Sequence, residues 1–443
     1  MRDRLRLIWN LVQGSLWFVP LVMGAVAVAL AILLLNLDAG LISEAGEYWL
    51  LYTGSAENAR ELMSALLSGM ITMTSLVVSI TMVVLTLAAG QIGPRLIRSF
   101  IQDRTTQAVL GLFLADILYL LMVFRTIDGP PDGAAGGVPH LAVSTGTGLT
   151  VLCLLVLLVY IHKLARSIIY DTVVRNVTVE LRETVARLMP DRDPATMAED
   201  AAGATPAEAG DVVRLERDGY VQAIGTEELV DLARDCGLTI RLLAAPGDFA
   251  LAAAPAATVH PAGALTKHRA AAIRKAILTG AERTPDQDIG FGIRQLVEIA
   301  TRALSPGLND VFTAVAVIDN LSAALADILG RAPAPAILRD AAGHARVLRT
   351  VPEHAALVGQ AFDQIRHAGG GNPAILIRLA DAIARLAPIA AGGPARAALR
   401  DQLEAIRAAG EQNLAVPRDR DALRRHADAA MRAIEDSTSA GQP

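Results

Sequence analysis

Hydrophobic residues form long uninterrupted runs only in the first 165 or so positions of the chain. Beyond them, apolar and polar positions alternate at helical or strand spacing. Four apolar stretches reach the length that crosses about 30 Å of hydrocarbon. They run approximately over residues 15–35, 66–89, 107–127 and 141–162. The pattern therefore predicts four transmembrane helices followed by a large polar region.

The distribution of basic residues predicts how these helices are oriented. Cytoplasmic flanks carry an excess of Lys and Arg. Such residues cluster before the first stretch, between the second and third, and after the fourth: Arg2, Arg4, Arg6, Arg95, Arg98, Arg104, Lys163, Arg166 and Arg175. The segment after the first stretch is mainly acidic, and the segment 128–139 has no Lys or Arg. We therefore expect both termini in the cytoplasm.

The second stretch carries an unusual number of hydroxyl groups. Between Ser64 and Thr86 it contains eight Ser or Thr residues. At about 100° per residue, six of them fall within an arc of roughly 80°. Glu57 and Glu61, and then Met82, extend the same face at its two ends. The resulting polar stripe comprises Glu57, Glu61, Ser64, Ser68, Thr72, Ser75, Ser79, Met82 and Thr86.

Lipid does not solvate hydroxyl or carboxylate groups, so the polar stripe is expected to meet protein or water. One interpretation is a pore lining, with Glu rings that concentrate cations at the outer mouth and Met82 and Thr86 at an inner constriction. The other is a helix-packing face, because small residues allow membrane helices to approach closely. The sequence leaves both interpretations open.

A second polar signal is Asp116, near the middle of the third stretch. An intramembrane carboxylate is costly and is a candidate for ion or proton passage. The alternative is a structural, protonated side chain bonded to a threonine of the fourth helix, where Thr150 lies at a similar depth.

The pattern predicts a mainly α membrane protein with a cytoplasmic α+β unit and a helical domain. GYVQAI and LTIRLL are predicted strands flanking a helix capped by Thr226, and a later helix is expected near Ala336–Leu348. Asn309 or Asp310 is expected to cap the helix that follows the Pro-Gly break. The predicted domains are a four-helix transmembrane domain (1–170), a helical extension and linker (171–211), a small α/β unit (212–266) and a helical domain (267–440).

Candidate chemistry in the polar region is sparse. The net charge of −5 gives no basic field for nucleic acid, and the two cysteines form no disulfide or metal pattern. Asp286, Asp288 and Asp310 could offer oxygen ligands to a divalent cation, as in a membrane-bound enzyme. Their spacing favours salt bridges and helix caps instead. We expect no catalytic site, no metal and no cofactor.

Several segments carry a family resemblance: SLWFVP, AAGQIGPRLIRSF, GYVQAI, PGDF and RTPDQDIGFGIRQLVEIATRALSPGLND. They are similar to a family of bacterial predicted membrane proteins that contains domain of unknown function 2254. The resemblance covers roughly residues 15–329 and implies a multi-pass protein of the bacterial inner membrane. In architecture alone, the predicted layout is similar to that of bestrophin channels.

The sequence thus predicts a homo-oligomeric ion channel, selective for inorganic cations and embedded in membrane lipids, whose second helix lines the pore. The alternative is a non-conducting membrane scaffold or sensor whose cytoplasmic domain binds a partner. Subunit number, the ion and the gating stimulus are not specified by the sequence.

Overall fold

The computed structural model describes residues 17–41, 52, 54–92, 103–127, 138–167, 170–191, 210–390 and 393–439. The chain forms two compact units, Met1–Ile169 and Tyr170–Pro443. Several sequence-based predictions lie outside the described residues. They concern the first residues of the first span, the linker after residue 191, and the flanking arginines Arg2, Arg4, Arg6, Arg95 and Arg98.

The first unit contains a helix over each of the four predicted spans. These helices are α1 (Phe18–Leu41), α2 (Ala56–Ile92), α3 (Arg104–Thr126) and α4 (His140–Ser167). Helix α3 is the centre of the bundle, because α1, α2 and α4 all pack against it. Its side chains Phe113, Tyr119 and Leu120 are fully buried. The apolar core of this unit therefore lies around α3.

Polar contacts fix the ends of these helices. Asp38, expected in an acidic loop, lies within α1 and accepts hydrogen bonds from the N–H groups of Leu141 (3.2 Å) and Ala142 (3.0 Å). A carboxylate at this place satisfies unpaired donors at the start of α4 and complements the helix dipole. At the opposite end of α4, Lys163 forms an ion pair with Asp103 at 2.8 Å.

The described part of the second unit contains two β-sheets. The five-stranded sheet has the order β1-β5-β3-β8-β7, and the three-stranded sheet has the order β4-β2-β6. All pairings are antiparallel except β3 with β8, which are parallel with Ile240 opposite Val347. The strands are β1 (Asp211–Arg214), β2 (Gly219–Ile224), β3 (Thr239–Leu242), β4 (Phe249–Ala250), β5 (Pro255–His260), β6 (Ile277–Gly280), β7 (Ile337–Arg339) and β8 (Ala345–Leu348).

The prediction of a helix near Ala336–Leu348 is wrong, because this segment forms the hairpin of β7 and β8. Its alanines suggested a helix, but Asp340 builds a turn. The carboxylate oxygen Oδ1 of Asp340 accepts hydrogen bonds from the N–H groups of Ala342 and His344, both at 3.0 Å. Gly343 adopts φ +83°, which glycine tolerates best. The turn chemistry therefore overrides the weak helical propensity.

Helix starts were predicted with mixed success. Asp310 caps its helix as expected, since its Oδ1 accepts from the N–H of Thr313 at 3.1 Å. Thr226 does not act as a cap, because the helix already begins at Thr226 and the capping position is Gly225. Assigned helix ends commonly differ by one or two residues, so an error of this size in predicting a cap is expected.

Nine helices are described in the second unit. They are α5 (Tyr170–Leu188), α6 (Thr226–Cys236), α7 (Lys267–Ala276), α8 (Ile289–Ala303), α9 (Val311–Gly330), α10 (His354–Ala368), α11 (Pro373–Leu386), α12 (Gly393–Asn413) and α13 (Pro417–Ser439). Helix α8 packs against α5, α9 and α10, and α9 also packs against α5 and α11. The core of this helical part therefore forms around α8 and α9.

Five described helices are long and apolar enough to cross a membrane: α1 to α4 and, in the second unit, α9. Helix α9 differs from the others in its ion pairs. Its Asp327 binds Arg182 of α5 at 2.6 Å, and its Asp319 binds Arg378 and Arg385 of α11. Its apolar face is buried against neighbouring helices of the same unit.

Candidate functional site

The polar stripe lies on α2, which begins well before the predicted apolar stretch. Ser55 starts the helix: its carbonyl accepts from the N–H of Ala59, and its hydroxyl accepts from the N–H of Asn58. Glu57 then falls in the first turn, where a negative charge is favourable. The early cap explains why Glu57 and Glu61 continue the same helical face as the hydroxyl groups.

Every residue of the polar stripe is exposed on the single chain. This holds for both carboxylates, for all six hydroxyl residues and for Met82, which is 55% exposed. The set is Glu57, Glu61, Ser64, Ser68, Thr72, Ser75, Ser79, Met82 and Thr86. Among the described residues, therefore, no other helix of the chain covers this face.

The buried face of α2 lies on the opposite side of the helix. Ala59, Met63, Met70, Val77 and Val84 are each 9% exposed or less. At about 100° per residue, their directions centre roughly 160° away from the centre of the polar stripe. Helix α2 thus packs against α3 and α4 through apolar side chains and directs the polar stripe away from them.

Two further hydroxyl residues of α2, Thr74 and Thr81, point toward the bundle instead of away from it. Both lie off the polar stripe and are partly buried. The hydroxyl of Thr81 is 2.9 Å from the phenol oxygen of Tyr160 on α4 and also donates to the carbonyl of Val77. The inward-facing hydroxyl of Thr81 therefore contacts another helix of the chain, whereas that of Thr74 donates to the carbonyl of Met70 in its own helix.

Among the described residues, no hydroxyl group of the polar stripe is hydrogen-bonded to another helix. Thr72 and Thr86 donate to the carbonyl oxygens of Ser68 and Met82, one turn earlier in the helix. Such bonds satisfy the donor without a second helix. The four serines, Ser64, Ser68, Ser75 and Ser79, make no side-chain hydrogen bond to any residue that the structure describes.

The dimensions of α2 match a membrane crossing. Its 37 residues extend about 55 Å, and the segment from Ser64 to Thr86 extends about 33 Å. The latter length is close to the hydrocarbon thickness of about 30 Å. Glu57 and Glu61 therefore lie beyond the apolar layer when Ser64 is placed at its edge.

Asp116 is fully buried on α3. Its Oδ2 accepts a hydrogen bond from the hydroxyl of Thr150 on α4 at 3.1 Å, and the same hydroxyl is 3.0 Å from the carbonyl of Gly146. Its Oδ1 is buried and has no hydrogen-bond partner among the described residues. Asp116 thus lies in the interior of the bundle, away from the polar stripe.

The acidic region of the second unit consists of two helix caps and a loop contact. Asp288 caps α8 and forms a buried ion pair with Arg283 at 2.6 Å, while Asp310 caps α9. The carbonyl of Asp286 accepts from Arg187. Within the described ranges, no group of three His, Cys, Asp or Glu side chains is placed to hold one metal ion.

A cavity of about 730 Å³ lies in the second unit and was not predicted from the sequence. It is bounded by the end of β2, the turn 244–249, the bend 283–290, the segment 349–352 and α10. These segments are far apart in the chain, so no local pattern signals the cavity. Three of the five segments that carry the family resemblance contribute to its wall.

Comparison with known proteins identifies the family. The profile of the family described as "Predicted membrane protein (DUF2254)" matches residues 13–385, so the chain belongs to this family. An uncharacterized protein of Mycobacterium tuberculosis strain H37Rv and another of Mycobacterium bovis are each 28% identical to it. Each alignment covers 95% of this chain and 81% of the relative. No solved structure matches the chain significantly, and the architectural likeness to bestrophin channels stays a prediction.

Proposed function

We propose that this membrane protein assembles as a homo-oligomer in the bacterial inner membrane and conducts cations along the polar stripe of α2. In this assembly α1 to α4 span the membrane, and the second unit lies in the cytoplasm with both termini. Met82 and Thr86 form the inner constriction. Neither an enzymatic activity nor a nucleic-acid partner enters the proposal.

The observation that carries this proposal is the direction of the polar stripe. All nine of its residues are exposed on the single chain, and the face that α2 uses for packing is on the opposite side. An isolated subunit would therefore present the polar stripe to acyl chains. A ring of subunits would instead bring several copies of it around one axis.

Energetics favour assembly over exposure to lipid. A hydroxyl that is removed from water without a hydrogen bond costs about 1–3 kcal/mol. Four serines of the polar stripe have no partner among the described residues, whereas Thr72 and Thr86 are satisfied within the helix. Water in a central pathway would solvate the serines at little cost.

Cation selectivity follows from the two carboxylates at the outer end. Each carboxylate attracts a monovalent cation about 6 Å away by roughly 0.7 kcal/mol in water. This energy corresponds to about a threefold rise in local cation concentration, and the effect multiplies with the number of carboxylates in the ring. No ion pair neutralises Glu57 or Glu61 within the described part of the chain.

The choice of four spans rests on the different surroundings of α9. A spanning helix faces lipid on part of its surface, whereas α9 carries Asp319 and Asp327, which are paired with arginines of neighbouring helices. Charged groups at a bilayer centre are costly. We therefore assign α9 to the core of the cytoplasmic unit.

Three consecutive cysteine substitutions test the pathway at one depth of the membrane. Ser75 lies on the polar stripe, Leu76 is 57% exposed but off it, and Val77 is 2% exposed in the bundle core. Each variant is made in a background lacking Cys236, reconstituted in liposomes and treated with a charged, water-soluble thiol reagent. We expect Ser75→Cys to react and to block ion flux, with Leu76→Cys and Val77→Cys protected.

Ion flux and selectivity provide the second measurement. Wild-type liposomes should pass K⁺ or Na⁺, and Glu61→Gln should shift the reversal potential toward lower cation preference. Absence of flux from folded, oligomeric protein, or protection of Ser75→Cys equal to that of Leu76→Cys, would rule out the pore.

The second candidate is a non-conducting scaffold that uses the polar stripe for subunit packing. Gly69, which is exposed and lies off the polar stripe in roughly the same direction as Leu76, has no atom within 4 Å of an added Cβ, so another helix could approach closely there. This candidate predicts Ser75→Cys shielded from reagent in the oligomer, crosslinked between subunits by oxidation, and no flux.

A further inference from the structure

The cavity of the second unit has walls that are held in place by side-chain hydrogen bonds. The carboxamide of Gln287 accepts from the N–H of Ile224 at 2.9 Å and donates to the carbonyl of the same residue at 3.2 Å. Gln360 of α10 donates to the carbonyl of Gly290 at 2.9 Å. These bonds join the bend before α8 to β2 on one side and to α10 on the other. The cavity is therefore formed before any ligand binds.

Much of the wall is apolar or aromatic. Leu242, Ile289 and Leu357 line the cavity and are buried. Tyr220 and Phe249 pack edge to face, with ring centroids 5.1 Å apart and an interplanar angle of 75°. Phe249 is nevertheless 54% exposed. An aromatic surface beside a preformed apolar hollow is typical of small-molecule sites.

The charges of the wall favour an anion. Three arginines and two aspartates line the cavity, which leaves one positive charge in excess: Arg283, Arg294, Arg349, Asp248 and Asp288. Arg283 is paired with Asp288 inside the protein.

Arg349 is a cation of the wall that has no acidic partner among the described residues. Its Nε donates to the carbonyl of Pro335 at 2.9 Å. None of the described carboxylates lies within 4 Å of its guanidinium group. Burial lowers the pKa of Arg349, since the charged form has lost part of its hydration. A bound anion would stabilise the charged guanidinium group and compensate for the hydration that it has lost.

We propose that this cavity binds an organic monoanion with an apolar or aromatic body, whose carboxylate, sulfonate or phosphate diester group contacts Arg349. The single excess charge favours a monoanion over a polyphosphate, because Asp248 and Asp288 would repel further negative charge. The volume of about 730 Å³ is within the range of about 300–1,000 Å³ that small-molecule sites occupy. This site is independent of the pathway proposed for α2.

Calorimetric titration of the purified full-length chain in a non-ionic detergent tests the site. The probe is 1-naphthalenesulfonate, and the neutral 1-naphthalenesulfonamide serves as its uncharged counterpart. We expect saturable binding of one sulfonate per chain with a Kd below about 1 mM. The sulfonamide should bind at least about tenfold more weakly, because it carries no charge and cannot form an ion pair with Arg349.

Two variants and their controls connect binding to the cavity. Arg349→Gln removes the proposed anion contact and should weaken binding by about tenfold or more, whereas Arg339→Gln alters an exposed arginine outside the cavity. Ala334→Trp introduces a bulky ring into the cavity wall and should abolish binding, whereas Ala342→Trp places the same ring on an exposed turn. Far-UV circular dichroism verifies that each variant is folded.

The experiment distinguishes a specific anion site from the absence of such a site. Should Arg349→Gln fail to fold, Ala334→Trp and the sulfonamide comparison carry the test. The proposal is overturned when wild-type protein shows no saturable uptake of the sulfonate, when the sulfonamide binds equally well, or when Ala334→Trp binds like Ala342→Trp. Loss of flux in a pore variant leaves this result unaffected.

Discussion

Substitution of Gly247 by alanine probes how closely the second unit is packed around its buried ion pair. Gly247 lies in the turn between β3 and β4 and has φ +94°. Its N–H donates to the carbonyl of Val221 on β2 at 2.8 Å, which holds the turn in place. An added Cβ would lie 2.3 Å from Oδ2 of Asp288 and 2.9 Å from Nη2 of Arg283. The methyl group and the ion pair therefore compete for the same space.

The expected loss of stability has two parts. A positive φ costs an alanine about 1–2 kcal/mol. Displacement of the Asp288 carboxylate also weakens its bonds to Arg283, which are 2.6 and 2.8 Å long. A hydrogen bond to a charged group contributes about 1.5–3 kcal/mol. Together, Gly247→Ala should destabilise the unit by about 2.5–5 kcal/mol.

Gly343→Ala is the matched control, because Gly343 has a similar φ of +83° but no atom within 4 Å of an added Cβ. It should cost only the backbone part, about 1–2 kcal/mol. The difference between the two variants, about 1.5–3 kcal/mol, isolates the collision with the ion pair.

Hydrogen exchange of a peptide that covers residues 283–303 is the appropriate assay. The three tryptophans, Trp9, Trp17 and Trp49, all belong to the first unit, so their fluorescence does not report on the second. Exchange through unfolding should be about 10- to 150-fold faster in Gly247→Ala than in Gly343→Ala. Equal exchange rates in the two variants would refute the reasoning.

Three further predictions concern other contacts. Asp310→Ala removes the cap of α9 and should destabilise the second unit by about 1 kcal/mol, measured by hydrogen exchange of α9. Thr81→Val and Tyr160→Phe should show a coupling energy of about 0.6 kcal/mol in a double-mutant cycle of unfolding in detergent; strictly additive effects would contradict the bond. Arg346 holds the pKa of Asp340 down at about 2, so the stability that this carboxylate contributes is present above its usual pKa of 3.8 and is lost as the pH falls toward 2. Asp340→Asn should remove that part of the acid dependence of the melting temperature, and an unchanged profile would count against it.

Apolar run length and helical spacing were sufficient to predict the long helices and the polar stripe of the first unit. The four apolar stretches follow from the length of their hydrophobic runs, and the polar stripe follows from residue spacing along α2, so counting residues located both. The sequence could not predict which side of α2 the rest of the chain covers, because that depends on α3 and α4. The contrast between Ser75, which is exposed, and Thr81, which contacts Tyr160, arises from tertiary packing.

The second unit was harder to predict because its key contacts join distant segments. Gln287 and Ile224 are hydrogen-bonded although 63 positions separate them, and Arg349 reaches the same cavity from a segment expected to follow a helix. Strands β3 and β8 are paired although more than 100 sequence positions separate them, and no local sequence pattern indicates this pairing. Asp340 and Gly343 are residue types that favour a turn, but the alanine content of the segment suggested a helix.

The central place of α3 has a consequence for how the chain is made. Helices α1 and α2 leave the ribosome first, yet both pack mainly against α3 rather than against each other in the described structure. A nascent chain that stops after α2 consequently lacks the surface on which these helices come together. Completion of the bundle during biosynthesis must wait for the third helix, and a chain truncated before Arg104 should be degraded rapidly.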